Sequence, residues 1–247
     1  MPDADEPSDS PTREEVGELL ALLVHDLRNP TATISANLNF VRDVWNPGEG
    51  RDGEDLRAAL NDAGLALREV ERGLEQCGWI ANWILGQAPV AASQGNPIAA
   101  IEAAIEHRGD LQVELQIDQP PVAVVGGGKN PTLRQPGAVE RLMDVLLANC
   151  GHWSGTDPII VRVDRDPDGY VIVELCDTGH PVAPSLRSSA FSLRTQPQLK
   201  RRSGGRYGRA LGLFAARVLA DAIGARLEAD ERDARCLFRL RLRPVEP

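Results

Sequence analysis

The sequence has no surplus of positive charge: 27 Lys and Arg stand against 36 Asp and Glu, a formal net charge of −9. Bulk charge therefore provides no general affinity for nucleic acid or for an anionic membrane. Cysteine is sparse, and Cys77, Cys150, Cys176 and Cys236 are scattered with no CxxC pair. That pattern suits a reducing compartment and argues against both a disulfide framework and a zinc site. No apolar run approaches the length of a bilayer span. The opening Met1-Pro2-Asp3-Ala4-Asp5-Glu6 is acidic and lacks the basic-then-apolar pattern of a signal peptide. The expected location is the cytoplasm. Gly126-Gly127-Gly128-Lys129 lacks the Walker spacing, because no Gly-Lys-Ser/Thr completes it, and reads as a loose turn. What remains is a chain of 247 residues, enough for one large domain or two small ones with a real core.

Residues 1–12 are rich in Asp, Glu, Pro and Ser and are expected to form a disordered acidic tail. Thr12 and Glu15 have the spacing of a helix capping box. A helix from there to about Trp45 carries Val16, Leu20, Leu23, Leu27, Ile34, Leu38 and Val41 as one stripe. Pro30 lies inside it, with a kink expected just after residue 25. Asn46-Pro47-Gly48-Glu49-Gly50 is a turn by composition. A second helix, about Glu54 to Leu85, has Leu56, Leu60, Ala63, Leu67, Val70, Leu74, Cys77, Ile80 and Ile84 as its expected buried stripe. Two long amphipathic helices with a short connection make a hairpin over 13–87. Pairing of two hairpins in a four-helix bundle buries stripes of this length economically.

A linker is expected over 88–97, then a second domain over 98–247. Its expected elements are a short helix (Ile98 to His107), strands at Leu111 to Ile117 and Val122 to Val125, and a helix from Val139 to Cys150. Strands at Ile159 to Val163 and Tyr170 to Leu175 follow, joined by the turn Asp166-Pro167-Asp168-Gly169. Residues 183–206 are polar, basic and without apolar periodicity, so they read as a mobile functional loop. A helix from about Leu211 to Ile223, stopped by Gly224, and strands at Ala225 to Glu228 and Cys236 to Leu242 complete the domain.

One residue stands apart in the first helix. At about 100° per residue, His25 falls on the side opposite the apolar stripe, with Asp26 one step around and Asn29 one turn on. An imidazole held off the core beside a carboxylate and an amide is a nucleophile with a base and a water-positioning group at hand. His25-Asp26-Leu27-Arg28-Asn29-Pro30 resembles the H-box of two-component histidine kinases. The second domain resembles the ATP-binding fold of those kinases, gyrase and the MutL proteins. Its N-box is Leu146-Leu147-Ala148-Asn149-Cys150-Gly151-His152-Trp153-Ser154, with Val145 where the family has a further Asn and His152-Trp153 in place of Lys-Tyr. The G1-box is Asp177-Thr178-Gly179-His180-Pro181-Val182, with Pro181 replacing a second Gly. Phe191 corresponds to a remnant of the F-box. The G2-box is Gly208-Arg209-Ala210-Leu211-Gly212-Leu213, with Ala210 as its middle residue.

The resemblance implies an α + α/β sandwich protein: a helical-hairpin domain (a four-helix bundle as a dimer) followed by a GHKL, or Bergerat-type, ATP-binding domain. It implies a soluble histidine protein kinase that phosphorylates His25 from ATP and passes the phosphate to an aspartate of a response regulator. Asp26 is implied as base and Asn29 as the group that orients water. Asn149 is implied as the Mg²⁺ ligand, an amide oxygen being a hard donor. His152 is implied at a phosphate. Asp177 is implied as acceptor of the adenine amino group and Gly179 as the point of close approach, and Gly208, Leu211 and Gly212 are implied at the phosphates through backbone N–H groups. The implied partners are a response regulator receiver domain, a second copy of the chain and an unidentified sensor or input protein, with no nucleic acid and no membrane. Val145, Pro181 and Ala210 leave open a histidine phosphotransferase with kinase architecture and a degenerate ATP site. A third alternative is an ATP-switched binding protein that transfers nothing.

Overall fold

The computed structural model describes residues 12–44, 53–88, 94–118, 124–125, 137–151, 157–202 and 210–244. The chain forms two compact units, Met1–Gly78 and Trp79–Pro247. The first is a helical hairpin of α1 (Arg13–Val44) and the greater part of α2 (Gly53–Ile84). α1 starts as its capping box demands. The Thr12 N–H donates to Glu15 Oε2 at 2.7 Å, and the Glu15 N–H donates to Thr12 Oγ1 at 3.3 Å. The helix continues through Pro30 to Val44. Gly73 lets Leu27 rest on the α2 backbone, since a Cβ at 73 would lie 2.8 Å from Leu27 Cδ2.

The hairpin's apolar stripes are split rather than buried whole. Leu19, Ala59, Ala63 and Ala66 are buried. Leu20, Leu38, Leu60, Leu67 and Leu74, all expected inside, are exposed, as are Val24, Phe40 and Leu65. Each stripe is wider than the seam that a single neighbouring helix covers. On α2 the buried positions before Gly78 are alanines, and Leu60, Leu67 and Leu74 lie outside the seam.

The second unit is built on a five-stranded sheet in the order β2-β4-β5-β7-β6, from β2 (Val113–Ile117), β4 (Ile159–Arg165), β5 (Val171–Asp177), β6 (Arg226–Arg232) and β7 (Arg235–Leu242). β2 and β4 are parallel, and the other pairs are antiparallel. Register aligns Leu115, Val161, Leu175, Phe238 and Ala229 across one face. Of these, Val161, Leu175, Phe238 and Ala229 are buried, together with Leu142, Met143 and Leu146 of α4 (Ala138–Gly151) and Leu213, Ala216 and Leu219 of α6 (Ala210–Ala222). The next register row, on the opposite face, runs Gln116, Arg162, Glu174, Arg239, Glu228, so that opposite charges meet directly across strands. Glu174 receives Arg239 Nε and Arg232 Nη2, each at 3.0 Å.

Local signals set the joints. In the turn after β4, the Asp166 carbonyl accepts the Gly169 N–H at 2.9 Å, and Gly169 takes φ +86°, a conformation that favours glycine. α6 ends on Gly224 at φ +64°, with the Ala225 N–H returning to the Ala220 carbonyl at 2.9 Å. α3 (Pro97–His107) is capped by Asn96, whose Oδ1 accepts the Ile98 N–H at 2.9 Å. β3 (Val124–Val125) pairs with β1 (Gln94–Gly95), a bridge that falls within the expected linker. α3 is locked to α4 by Arg108, whose Nε lies 2.7 Å from Asp144 Oδ1. The residues of α2 beyond Gly78 pack in this unit: Trp83 meets Phe214 edge-on at 5.5 Å, and the Arg141 guanidinium sits 5.5 Å from the Trp79 ring centroid.

The expected mobile loop over 183–206 is corrected over its described part. Pro184–Ser189 and Leu193–Thr195 are 3₁₀ turns, and α5 is Gln196–Arg202. Leu186, Phe191 and Leu199 are buried from this segment, and Phe191 meets Phe238 edge-on at 5.9 Å. Gln196, fully buried, holds the turn by donating Nε2 to the Ala190 and Ser192 carbonyls at 2.8 Å each. Turns of three to six residues are too short to show a period in the sequence. The glycine run at 126–129 lies outside the described residues.

Candidate functional site

Two groups of candidate residues lie in different units. In the hairpin, the His25 side chain is 59% exposed, and its Nδ1 lies 3.1 Å from Asp26 Oδ1. A carboxylate only accepts, so the hydrogen on this contact belongs to the ring and Nδ1 is the protonated nitrogen. In the neutral tautomer the lone pair then lies on Nε2, across the ring from the carboxylate. Asn29 is exposed one turn further on. Pro30 has no N–H to offer the Asp26 carbonyl, so the helix lacks one hydrogen bond next to the imidazole. Three hydroxyls after it bond back to carbonyls one turn earlier: Thr31 to Leu27 at 2.6 Å, Thr33 to Asn29 at 3.3 Å and Ser35 to Thr31 at 3.0 Å. Such back-bonding competes with the helix ladder and softens it.

In the second unit, Asp177 ends β5 and is only 1% exposed. Its Oδ1 accepts the Gly179 N–H at 2.7 Å, which folds the chain into a tight turn. The turn is tied to the sheet, because Cys236 is the register partner of Asp177 and its N–H donates to the Gly179 carbonyl at 3.3 Å. A buried carboxylate is thus presented at a sheet end with its orientation fixed. Asn149, 8% exposed, lies near the end of α4, and its Nδ2 donates to the Val145 carbonyl at 2.9 Å. Gly212 of α6 is against this amide, since a Cβ there would lie 2.8 Å from Asn149 Nδ2. Leu211, next to it, is buried. The fold therefore brings Asn149 together with Gly212, and Asp177 with Gly179. His152 and Gly208 lie outside the described residues.

Sequence reasoning missed what Val145 contributes. Its side chain is buried and offers no donor, but its carbonyl is what aims the Asn149 amide. The four-residue spacing on a helix was the available signal. It also missed Arg108 and Asp144, 36 residues apart, for which no local pattern exists.

No family model matches the chain. It is similar to the sensor protein TorS of Escherichia coli, 26% identical over 227 residues, a match that covers 85% of this chain and 22% of TorS. The chain thus spans about a fifth of that relative's length. Its fold is similar to that of the Acinetobacter baumannii histidine kinase AdeS, with a TM-score of 0.56 and 16% identity over 88% of this chain and 96% of that one. It is similar also to full-length ShkA, solved in complex with AMPPNP, with a TM-score of 0.55 and 15% identity over 93% of this chain and 47% of that one. The helical hairpin and mixed sheet resemble the fold of the histidine kinase AdeS, consistent with the GHKL expectation. By sequence the chain is similar to a sensor protein, and by fold it is similar to a histidine kinase.

Proposed function

We propose that the protein is a histidine protein kinase that takes the γ-phosphoryl group of ATP onto His25 and passes it to an aspartate of a response regulator receiver domain. The observation that carries this reading is the exposed imidazole of His25, with Nδ1 directed at Asp26 at 3.1 Å. In the first step the Nε2 lone pair forms a bond to the γ-phosphorus. The bond to the bridging oxygen breaks, and its electron pair leaves with ADP. Asp26 accepts the Nδ1 proton, so the ring does not retain a positive charge. In the second step a receiver carboxylate attacks the phosphorus, the P–N bond breaks and the ring takes a proton back. Asn29 would orient water for removal of the phosphate from the receiver.

In the second unit, the Asp177 carboxylate would accept the adenine amino group and Gly179 would allow the base to approach closely. The N–H groups of Gly208, Leu211 and Gly212, with His152, would face the phosphates. Asn149 suits Mg²⁺: with its NH₂ directed at Val145, the amide oxygen is the end available as a hard donor. Mg²⁺ is commonly held by one or two protein ligands plus substrate phosphates. When bound, Mg²⁺ would supply charge that offsets the triphosphate. The protein would work as a homodimer through the hairpin, in the cytoplasm, under a separate sensor or input protein. Among the described residues no helix is long and apolar enough to cross a membrane.

A second reading is supported by the buried apolar Val145, which adds no donor to the site. In this reading the protein is a histidine phosphotransferase that exchanges phosphate only with receivers. Incubation with γ-labelled ATP and Mg²⁺ separates the two. The kinase acquires acid-labile, base-stable label, and His25→Gln abolishes it while circular dichroism is unchanged. Absence of label from ATP, with label gained from a phosphorylated receiver, would establish the relay instead. Label retained in His25→Gln would remove His25 from either role.

A further inference from the structure

Gly212 lies in the first turn of α6, where glycine weakens a helix relative to alanine. Its backbone does not require glycine, since the described glycines with positive φ are Gly86, Gly169 and Gly224. Its neighbour does. A Cβ at 212 would lie 2.8 Å from Asn149 Nδ2, 3.3 Å from Oδ1 and 3.5 Å from Cγ. The carboxamide therefore lies over the Gly212 Cα, closer than any side chain allows. The same Nδ2 donates to the Val145 carbonyl at 2.9 Å. Asn149 is buried, so the amide cannot swing away into solvent.

We infer that Gly212 is a positioning residue that acts through Asn149: by leaving room over its Cα, it keeps the amide NH₂ on Val145 and the amide oxygen turned out as the donor for a divalent cation. This rests on the kinase reading of the same site and assigns to Gly212 a task other than bringing backbone N–H groups close to phosphate. A carbonyl acceptor requires the NH₂ end to face it, so the orientation of the oxygen follows from the Val145 contact. With Val145 adding no side-chain donor, the geometry of one amide sets the strength of the protein's share of the metal site. An alanine methyl at 212 would displace that amide and break its hydrogen bond.

The test is titration of the full chain with ATP in MgCl₂ and in EDTA, alongside thermal melting. In Gly212→Ala the ratio of the two ATP affinities should fall by about 10- to 100-fold, the range for loss of a group that orients a metal ligand. The melting midpoint should not fall in proportion. Asn149→Ala should lower the ratio similarly. The double variant should lose no more than Asn149→Ala alone, since the clash disappears with the amide. If Gly212→Ala does not fold, Asn149→Ala should rescue it, and failure of that rescue overturns the inference. So does an equal loss of affinity in MgCl₂ and EDTA, which would assign Gly212 to the phosphates. Additive losses in the double variant overturn it as well. Mg²⁺-dependent binding that is normal in wild type and unchanged in Gly212→Ala overturns this inference alone. Wild-type protein with no Mg²⁺-dependent ATP binding overturns it together with the kinase reading.

Discussion

Large apolar side chains go to opposite places in the two units. In the second unit Leu142, Met143, Leu146, Leu175, Leu219 and Phe238 are fully buried, and the buried Arg108 is paired with Asp144. In the hairpin the buried positions of α2 before Gly78 are alanines, while Leu60, Leu67 and Leu74, seven residues apart, face outward, with Leu74 56% exposed. A sheet covered by helices can enclose its own core, whereas two helices share only one seam. The second unit has its core within the chain. In our proposal the hairpin completes its core with a second copy, for which an exposed apolar row of this kind is suited.

The largest effect expected from this contrast is on association. Replacing Leu67 and Leu74 together by Glu places two carboxylates in the proposed seam, at a cost of several kcal/mol. The dissociation constant of the full chain, measured by sedimentation equilibrium, should rise about a thousandfold or more. Melting of the second unit should be unaffected. Wild-type protein that sediments as a monomer at all concentrations would overturn self-association through this row, which would then have another occupant.

A smaller effect is expected inside the second unit. Arg108→Ala leaves the carboxylate of Asp144, 15% exposed, without its buried guanidinium. Urea unfolding should show a loss of about 3 kcal/mol, in the range for breaking a buried pair, with association unchanged. A loss below about 1 kcal/mol would mean that solvent reaches Asp144 and that this unit's interior is less closed than its burial suggests.

The smallest effect is titratable. Burial pushes the Glu174 carboxyl up, but the hydrogen bonds and charges of Arg232 and Arg239 together outweigh it and hold the group below the ordinary glutamate range. A carboxylate lowered in the folded state stabilises it above the unfolded value, about 4.3, and that contribution is lost as pH falls through the folded value. Glu174→Gln should therefore lower stability by about 1 kcal/mol at neutral pH, and the difference from wild type should close as pH falls below the ordinary glutamate value and through the lower folded one. A difference that persists at a pH low enough to protonate Glu174 in the folded protein as well would assign the effect to packing rather than to charge.

Much of the architecture was legible because its signals are local. Thr12 and Glu15 marked the start of α1, Asp166 to Gly169 marked a turn, and Gly224 marked the end of α6, each through hydrogen bonds spanning a few residues. Apolar periodicity located both long helices but not which part of each stripe is covered. It shows which side of a helix is apolar, and the width of the seam depends on the neighbour. The segment after β5 misled for a different reason. Its arginines and serines dominate its composition, while Leu186, Phe191 and Leu199 reach the core from short turns without a period.

By itself the sequence determined the two long helices, α3, α4 and α6, the places of the large sheet's strands along the chain, the face of α1 that carries His25 beside Asp26, and the short motifs that bear Asn149, Asp177 and Gly212. These depend on residue identity at spacings of a few positions. Only the tertiary structure decided that Gly212 lies against Asn149, that Cys236 pins the Asp177 turn, that Arg108 closes on Asp144, and that the hairpin leaves its leucines outside. Those facts depend on segments distant in sequence meeting at van der Waals or hydrogen-bond distance, and such meetings are set by how the whole chain packs.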